Sequence, residues 1–430
     1  MPKEEKIKTS KLNGTIIGNS SDKLTVKDQN NLIYTFNISQ NDYKIGDNII
    51  IEYTGILNKN LEKQETTLIN IIPVSQDEEN IEVRTSDNLF SKFNTLANKK
   101  VSEMTLDEKI GQVLLVSYPE EKEVDEAINT YFVGGFIFFE NDFKDKTTID
   151  VQNMLKNAQN KAKIPLLTAV DEEGGDVIRI SSNKNLVSKE FLSPRDLYLE
   201  GGFELIKEDT IRKSNLLEQL GLNINLAPVV DISTNSTDYI YNRTIGEPQE
   251  LTSKYAETVI NSSKENKSVS YVLKHFPGYG DNEDTHQGIV IDEREYTTIY
   301  NNDLKPFEAG IKSNAEAILV SHNIVKSIDE ENPASLSPSI HNLLRNDLDF
   351  IGIIMTDDLS MNALSNIENK TVKALLAGND IIITTNYKES FNELKKALEE
   401  QIITEEYLND TVQKIIAWKY YKGLMYNNGK

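Results

Sequence analysis

Between residues 112 and 385 the chain carries eight apolar runs separated by stretches of helical character. The runs are 112–117, 134–139, 165–171, 223–231, 270–275, 316–322, 352–357 and 380–385. Most are continuous rather than alternating, the pattern of strands covered on both faces. Strand and helix in alternation is the rhythm of parallel βα units. Eight such units predict an α/β fold, a (β/α)8 TIM-type barrel. A doubly wound open sheet is the alternative, and the number of strands favours the barrel.

The first part of the chain reads differently. Residues 14–18, 23–27, 32–38, 48–57 and 67–74 have strand character, with turn residues at 28–31 and 44–47. Five short strands predict a small all-β domain, possibly OB-like. Residues 75–87 are polar and acidic and read as a linker. The predicted division is therefore 1–87, β-domain and linker, and 88–430, barrel. A helical entry is expected from about Leu89 to Met104. Thr105-Leu106-Asp107-Glu108 then has the form of a capping box.

Active sites of such barrels lie where strands end and βα loops begin. The expected strand ends are rich in charge. Asp171-Glu172-Glu173 follows the third run, Asp231 the fourth, Lys274-His275 the fifth, His322 the sixth and Asp357-Asp358 the seventh, and Arg243 lies in the long loop after the fourth. Each has a plain structural reading. Asp171 and Asp231 are residue types that cap helices or form turns, Arg243 could make a rim salt bridge, and His322 could be a satisfied interior histidine. One of Asp357 and Asp358 is expected to cap the next helix. His341, in a polar helix start, reads as surface. Their joint placement favours a site.

Asp284 and His286 stand two residues apart after Gly278 and Gly280. In an extended loop both side chains fall on one side, where the carboxylate can orient the imidazole for proton transfer. One reaction such groups could serve is glycoside cleavage with retention, which needs a carboxylate nucleophile and a proton donor about 5 Å apart. Asp357 or Asp358 can supply the first, and His286 with Asp284 the second. Asp171, Arg179, Arg243, Lys274 and His275 suit the anchoring of sugar hydroxyls.

Several of these stretches together resemble family-three glycoside hydrolases of the N-acetylglucosaminidase (NagZ-like) branch. The resemblance rests on Lys274-His275-Phe276-Pro277-Gly278-Tyr279-Gly280 with Asp284-Thr285-His286, and on Asp171-Glu172-Glu173-Gly174-Gly175 with Arg179. It also rests on Asn242-Arg243-Thr244-Ile245-Gly246, Pro333-Ala334-Ser335-Leu336-Ser337 and Thr356-Asp357-Asp358-Leu359. It runs from about residue 105 to 420. It implies Asp357 as nucleophile, His286 as acid/base, Asp284 as its partner, and Asp171, Arg179, Arg243, Lys274 and His275 as binders of the terminal sugar. Asp176 and Tyr279 stand where the family often has Arg and His. The implied activity is a retaining exo-β-N-acetylglucosaminidase acting on peptidoglycan fragments or related glycans. A phosphorylase, with phosphate as acceptor, and a catalytically silent glycan-binding protein are the alternatives.

Composition narrows the partners. A net charge of −22 opposes binding to nucleic acid or to an anionic membrane surface. There is no cysteine, so no thiolate nucleophile or zinc-thiolate site. No apolar run reaches membrane-span length. No metal or cofactor is expected. The expected place is outside the cell or at its envelope, with an export signal removed; the cytoplasm is the alternative. Nothing in the sequence sets an oligomeric state.

Overall fold

The computed structural model describes residues 10–19, 23–28, 33–38, 44, 48–54, 67–74, 88–280, 282 and 288–426. The expected linker at 75–87, turn residues 29–31 and 45–47, and both Asp284 and His286 lie outside the described residues. The chain divides into two compact units, Met1–Thr85 and Ser86–Lys430.

The first unit is one antiparallel sheet of β1 (Ser10–Asn19), β2 (Lys23–Asp28), β3 (Ile33–Asn37), β4 (Asn48–Thr54) and β5 (Thr67–Val74). Their order is β3-β2-β1-β4-β5. Strands 1 and 4 differ in extent from the expected 14–18 and 48–57, the first longer and the second shorter. Alternate residues make the core: Leu24 and Val26, Tyr34 and Phe36, Ile49 and Ile51, with Ile16. That period of two is what a sheet covered on one face requires.

In the second unit each expected apolar run contains one strand. These are β6 (Leu114–Ser117), β7 (Gly135–Phe138), β8 (Leu167–Val170), β9 (Ile224–Asn225), β10 (Ser270–Phe276), β12 (Ala317–Val320), β14 (Ile353–Thr356) and β15 (Ile382–Thr384). A separate parallel pair, β11 (Ile291–Asp292) and β13 (Ile324–Val325), stands beside them. The eight form a parallel sheet ordered β14-β12-β10-β9-β8-β7-β6-β15. A bridge from Met355 to Ile381 brings its two ends together, so the sheet is a nearly closed barrel. The order follows the chain without the reversal that a doubly wound sheet would show. Strand 9 is much shorter than the run 223–231. Pro228 lies in that run and has no N–H to give the ladder; a single bridge, Val229 to Lys274, continues it.

Helices cover the outside because their apolar residues recur at helical spacing. Thr148–Lys161 buries Val151, Leu155 and Ala158. The capping box at Thr105 forms as expected: Thr105 Oγ1 accepts from Glu108 N–H, and Glu108 accepts from Thr105 N–H. The last long helix, Glu405–Tyr421, underlies the strands' N-terminal ends. Its Trp418 is fully buried and donates to Glu316 Oε2 at 2.8 Å. The next residue, Lys419, is equally buried. Its Nζ donates to Gln112 Oε1 (2.6 Å) and to the Gly134 carbonyl (2.9 Å). Burial alone pushes this amine down to about 7.

Since the unfolded chain holds the Lys419 proton up to its ordinary value of 10.5, the folded state binds fewer protons between about pH 7 and that value. Stability should rise with pH across that window, and the penalty should be complete below it. Denaturation measured at several pH values should therefore show a smaller rise in Lys419→Met than in the wild type. Equal slopes would mean that the buried amine keeps its proton.

Candidate active site

The C-terminal ends of the strands carry most of the polar residues marked in the sequence. The chain leaves β8 through Asp171, Glu172 and Glu173, then turns at Gly174 and Gly175, both with positive φ. A Cβ at Gly174 would lie 2.0 Å from the Leu192 carbonyl oxygen, so only glycine fits this close approach. Glu172 is fully buried and internally satisfied. It accepts from Arg179 N–H (2.9 Å), Ile180 N–H (2.7 Å) and Ser181 Oγ (2.5 Å). It thus closes the loop 172–181 from within.

Glu173 does the opposite and reaches across the barrel mouth. Its Oε1 meets Lys274 Nζ at 2.6 Å and Arg243 Nη2 at 2.8 Å, and its Oε2 accepts from Arg243 Nε at 3.0 Å. Lys274 is shared with Asp171 Oδ1, also at 2.6 Å. Burial opposes ionisation of Glu173, but the guanidinium and the ammonium outweigh it and hold the carboxyl far below its ordinary range. Burial likewise disfavours the Lys274 cation, and Asp171 and Glu173 more than offset this, raising its pKa. Arg243 is therefore in a buried fork with a carboxylate, not in a rim salt bridge.

His275 completes the group. Its Nε2 lies 3.3 Å from Arg243 Nη2 and its Nδ1 2.7 Å from Asp231 Oδ2. Guanidinium only donates, so Nε2 accepts and Nδ1 carries the proton toward Asp231. Asp231 also accepts from His275 N–H (3.1 Å) and Tyr279 N–H (2.7 Å). The carboxylate thus sets both the ring and the turn that follows it.

At the next strand end, His322 Nε2 donates to the Asp358 carbonyl (3.0 Å) and Nδ1 meets Ser335 Oγ (2.7 Å). Asp357 and Asp358 follow β14 with unequal duties. Asp358 Oδ1 accepts from Ser360 N–H (2.8 Å) and Thr385 N–H (3.3 Å), and Oδ2 from Thr385 Oγ1 (2.9 Å). It forms the turn. Asp357 accepts from Asp358 N–H at 2.8 Å through Oδ1. Burial raises its pKa, but His322, His275, the Asp358 N–H and Lys274 together prevail and lower it. Of the adjacent pair, Asp357 is the carboxylate that faces the cationic and imidazole side chains.

Asp171, Arg243, Lys274, His275 and Asp357 are thus linked through direct contacts or the field of their neighbours. Arg179 stands apart from the ion network. Its guanidinium lies 6.0 Å over the Phe139 ring, and its Nε is buried without a hydrogen-bond partner. Glu173, Asp231 and His322 were noted among the charged strand ends but were given no role in the expected site. The signal for Glu173 was the pair of cations at neighbouring strand ends, which buried together need more negative charge than Asp171 alone. His341 is not on the surface as expected. It is buried, donates from Nδ1 to the Ser337 carbonyl (2.8 Å), and packs its ring on Gly378, where a Cβ would sit 3.3 Å away. Among the described residues no group of three or more His, Asp or Glu is arranged to hold a metal ion.

Residues 105–418 match the model of the glycosyl hydrolase family 3 N terminal domain. The chain belongs to glycosyl hydrolase family 3. It is 30% identical over 316 residues to a beta-hexosaminidase of Glaesserella parasuis, a match that covers 71% of this chain and 89% of that protein. It is 28% identical over 293 residues to beta-hexosaminidase LpqI of Mycobacterium tuberculosis, covering 66% and 74%. Among solved structures it resembles a family 3 beta-N-acetylglucosaminidase from Paenibacillus, with a TM-score of 0.71 and 28% identity. That match spans 76% of this chain and 64% of the other.

Removing the Glu173 charge leaves two buried cations short of a partner. Glu173→Gln should lower the unfolding free energy by about 3 kcal/mol, the usual cost of breaking a buried ion pair from one side. Denaturant unfolding measures this. An unchanged midpoint would show that Asp171 alone can neutralise Lys274 and Arg243.

Proposed function

We propose that this protein is a retaining exo-β-N-acetylglucosaminidase that removes terminal N-acetylglucosamine from peptidoglycan fragments or related glycans, at the cell envelope. The observation that carries the mechanistic part is the division of labour at the end of β14. Asp358 is consumed by the turn, while Asp357 is held as a carboxylate beside Lys274, His275 and His322. The beta-hexosaminidase and beta-N-acetylglucosaminidase names of the relatives support the substrate class.

In this reading Asp357 attacks the anomeric carbon as the glycosidic bond breaks, and His286, oriented by Asp284, protonates the departing oxygen. The resulting glycosyl ester is hydrolysed when the same imidazole takes a proton from water. Asp171, Arg243, Lys274 and His275 anchor the sugar hydroxyls. Their mutual contacts favour this, because groups already locked to each other lose little freedom when substrate arrives. Arg179, with an unpartnered Nε beside Phe139, adds a further donor at the rim.

Asp357→Ala should remain folded and lose several orders of magnitude in kcat, because the covalent route disappears. A fluoro-sugar inactivator should label Asp357 in the wild type. The natural enzyme should cleave an aryl N-acetyl-β-glucosaminide faster than the matching β-glucoside, with no dependence on phosphate. Label on Asp358 would reverse the assignment within the pair, and a phosphate-dependent sugar phosphate product would make the protein a phosphorylase.

We further infer that residues 1–87 form a domain separable from catalysis and serve to place the enzyme on polymeric substrate. The site residues in the described part all lie in the second unit, from Asp171 onward. Deleting residues 1–87 should leave kcat/KM on a small aryl glycoside within about threefold of the full chain, while binding to polymeric cell wall falls. A large loss on the small substrate, from a barrel that still melts cooperatively, would show that the β-domain is needed for the chemistry.

A further inference from the structure

The turn that follows β10 has no space for side chains at two of its positions. Gly278 has φ +124°, and a Cβ there would lie 2.6 Å from Asp303 Cβ. Gly280 has φ +59°, and a Cβ there would lie 2.3 Å from the guanidinium carbon of Arg294. Both glycines are therefore pressed onto one ion cluster. Arg294 donates from Nε to both Asp292 oxygens (2.9 and 3.0 Å) and from Nη2 to Asp292 Oδ2 (2.6 Å). It donates from Nη1 to Asp303 Oδ1 (2.8 Å) and from Nη2 to the Gly278 carbonyl (3.3 Å). Asp292 and Asp303 are buried. On the barrel side the same turn is held by Tyr279 N–H on Asp231.

Arg294 also lies in the stretch that follows residues 281–287 in the sequence. The Val290 carbonyl accepts from Ile324 N–H at 2.9 Å, and β11 pairs with β13. Asp292 is the second residue of β11, and Lys326 N–H donates to its carbonyl at 3.0 Å. One guanidinium thus touches the chain before residues 281–287, through Gly278 and Gly280, and the chain after them, through Asp292. Between those points the sequence carries Asp284 and His286.

We propose that Arg294 is a positioning residue for proton transfer, fixing both ends of the segment that bears the acid/base histidine. The inference rests on the reading of His286 as the acid. Arginine suits the task because its planar fork donates in several fixed directions at once, whereas an ammonium would have to choose among Asp292, Asp303 and the Gly278 carbonyl. The bland alternative is an ion cluster that only stabilises the fold.

The two differ in how activity depends on the leaving group. Arg294→Met, Arg294→Lys and Gly280→Ala would be compared with the wild type and with His286→Ala, all in the full chain. Substrates would be phenyl and dinitrophenyl N-acetyl-β-glucosaminides. The readout is kcat/KM, which reports the bond-breaking step, with melting temperature recorded for each variant. A misplaced acid should cost about 10- to 100-fold on the phenyl glycoside, which needs protonation, and less than about 3-fold on the dinitrophenyl glycoside, which does not. Gly280→Ala keeps the Arg294 charge but drives a Cβ against its guanidinium and so disturbs the same anchor from the side of the turn; it should show the same signature if Arg294→Met does not fold. Equal losses on both substrates, or full activity in folded Arg294→Met, would overturn the positioning role. If His286→Ala itself lacked leaving-group dependence, the acid assignment would fall and this inference with it, an outcome distinct from failure of the Arg294 variants alone.

Discussion

Glu173 is the residue on which the barrel mouth depends. A carboxylate 3% exposed cannot remain charged unless cations stand against it, and two cations cannot be buried together without it. Glu173 comes from the loop after β8, Arg243 from the long loop after β9, and Lys274 from β10. Their mutual requirement brings three separate pieces of chain into one geometry. Arg243 then has a donor left for His275, which fixes the tautomer and turns Nδ1 toward Asp231. Asp231 in turn accepts from the N–H groups of His275, near the end of β10, and of Tyr279, in the turn that follows. One buried ion cluster therefore sets the polar side chains of the barrel mouth and, through Asp231, the backbone that follows His275.

Charge alone does not mark the working end of this barrel, because the opposite end is also charged. Asp380 is buried there and accepts from Arg345 (2.6 Å), Lys414 (2.7 Å) and Ile354 N–H (2.8 Å). Burial disfavours its ionisation, and Lys414 and Arg345 overcome this. Lys419 is buried with only neutral acceptors and responds by a fall in its pKa. These groups are spent on holding helices to strand ends. At the mouth the balance differs. Among the described residues Asp357 has one hydrogen bond, from its neighbour's N–H, and the buried Arg179 Nε has none. Unspent polarity in an otherwise satisfied cluster is what separates a site from a structural ion network.

The strands were legible because each is buried on both faces and so carries a continuous apolar run, bounded by residues that no buried strand would accept. The capping box at Thr105 was legible because its two hydrogen bonds span only three residues. What could not be read was pairing over distance. Glu173 stands beside Asp171 and Glu172 in the sequence, and nothing local says that Glu172 turns inward onto Arg179, Ile180 and Ser181 while Glu173 crosses to Arg243 and Lys274. His341 sits among serines and an asparagine and reads as surface, yet it is buried against Gly378 with its Nδ1 on the Ser337 carbonyl. From the residues alone Asp357 and Asp358 were an even pair, which only the family resemblance divided in favour of Asp357; Thr385, from another strand end, holds the second in the turn. Local pattern reports which element a residue is in, and the partner that decides its duty comes from another element.

In the mechanism proposed above, the charge balance at the mouth bears on why an imidazole would suit proton transfer. Asp171, Glu173, Asp231 and Asp357 bring four carboxyl groups to a region with two permanent cations, Arg243 and Lys274. An imidazole that worked beside such an excess of negative charge would be favoured in its protonated form, the form that a general acid must have. When Asp357 becomes an ester, one of those negative charges is gone. The field that held the imidazolium weakens, and the same ring is more ready to stand neutral as the base that the second step requires. A carboxylic acid in this place would feel the same change, but it would begin from a much lower intrinsic pKa and need a far more negative site to be protonated near neutral pH. On that route the covalent step itself would reset the acid as a base.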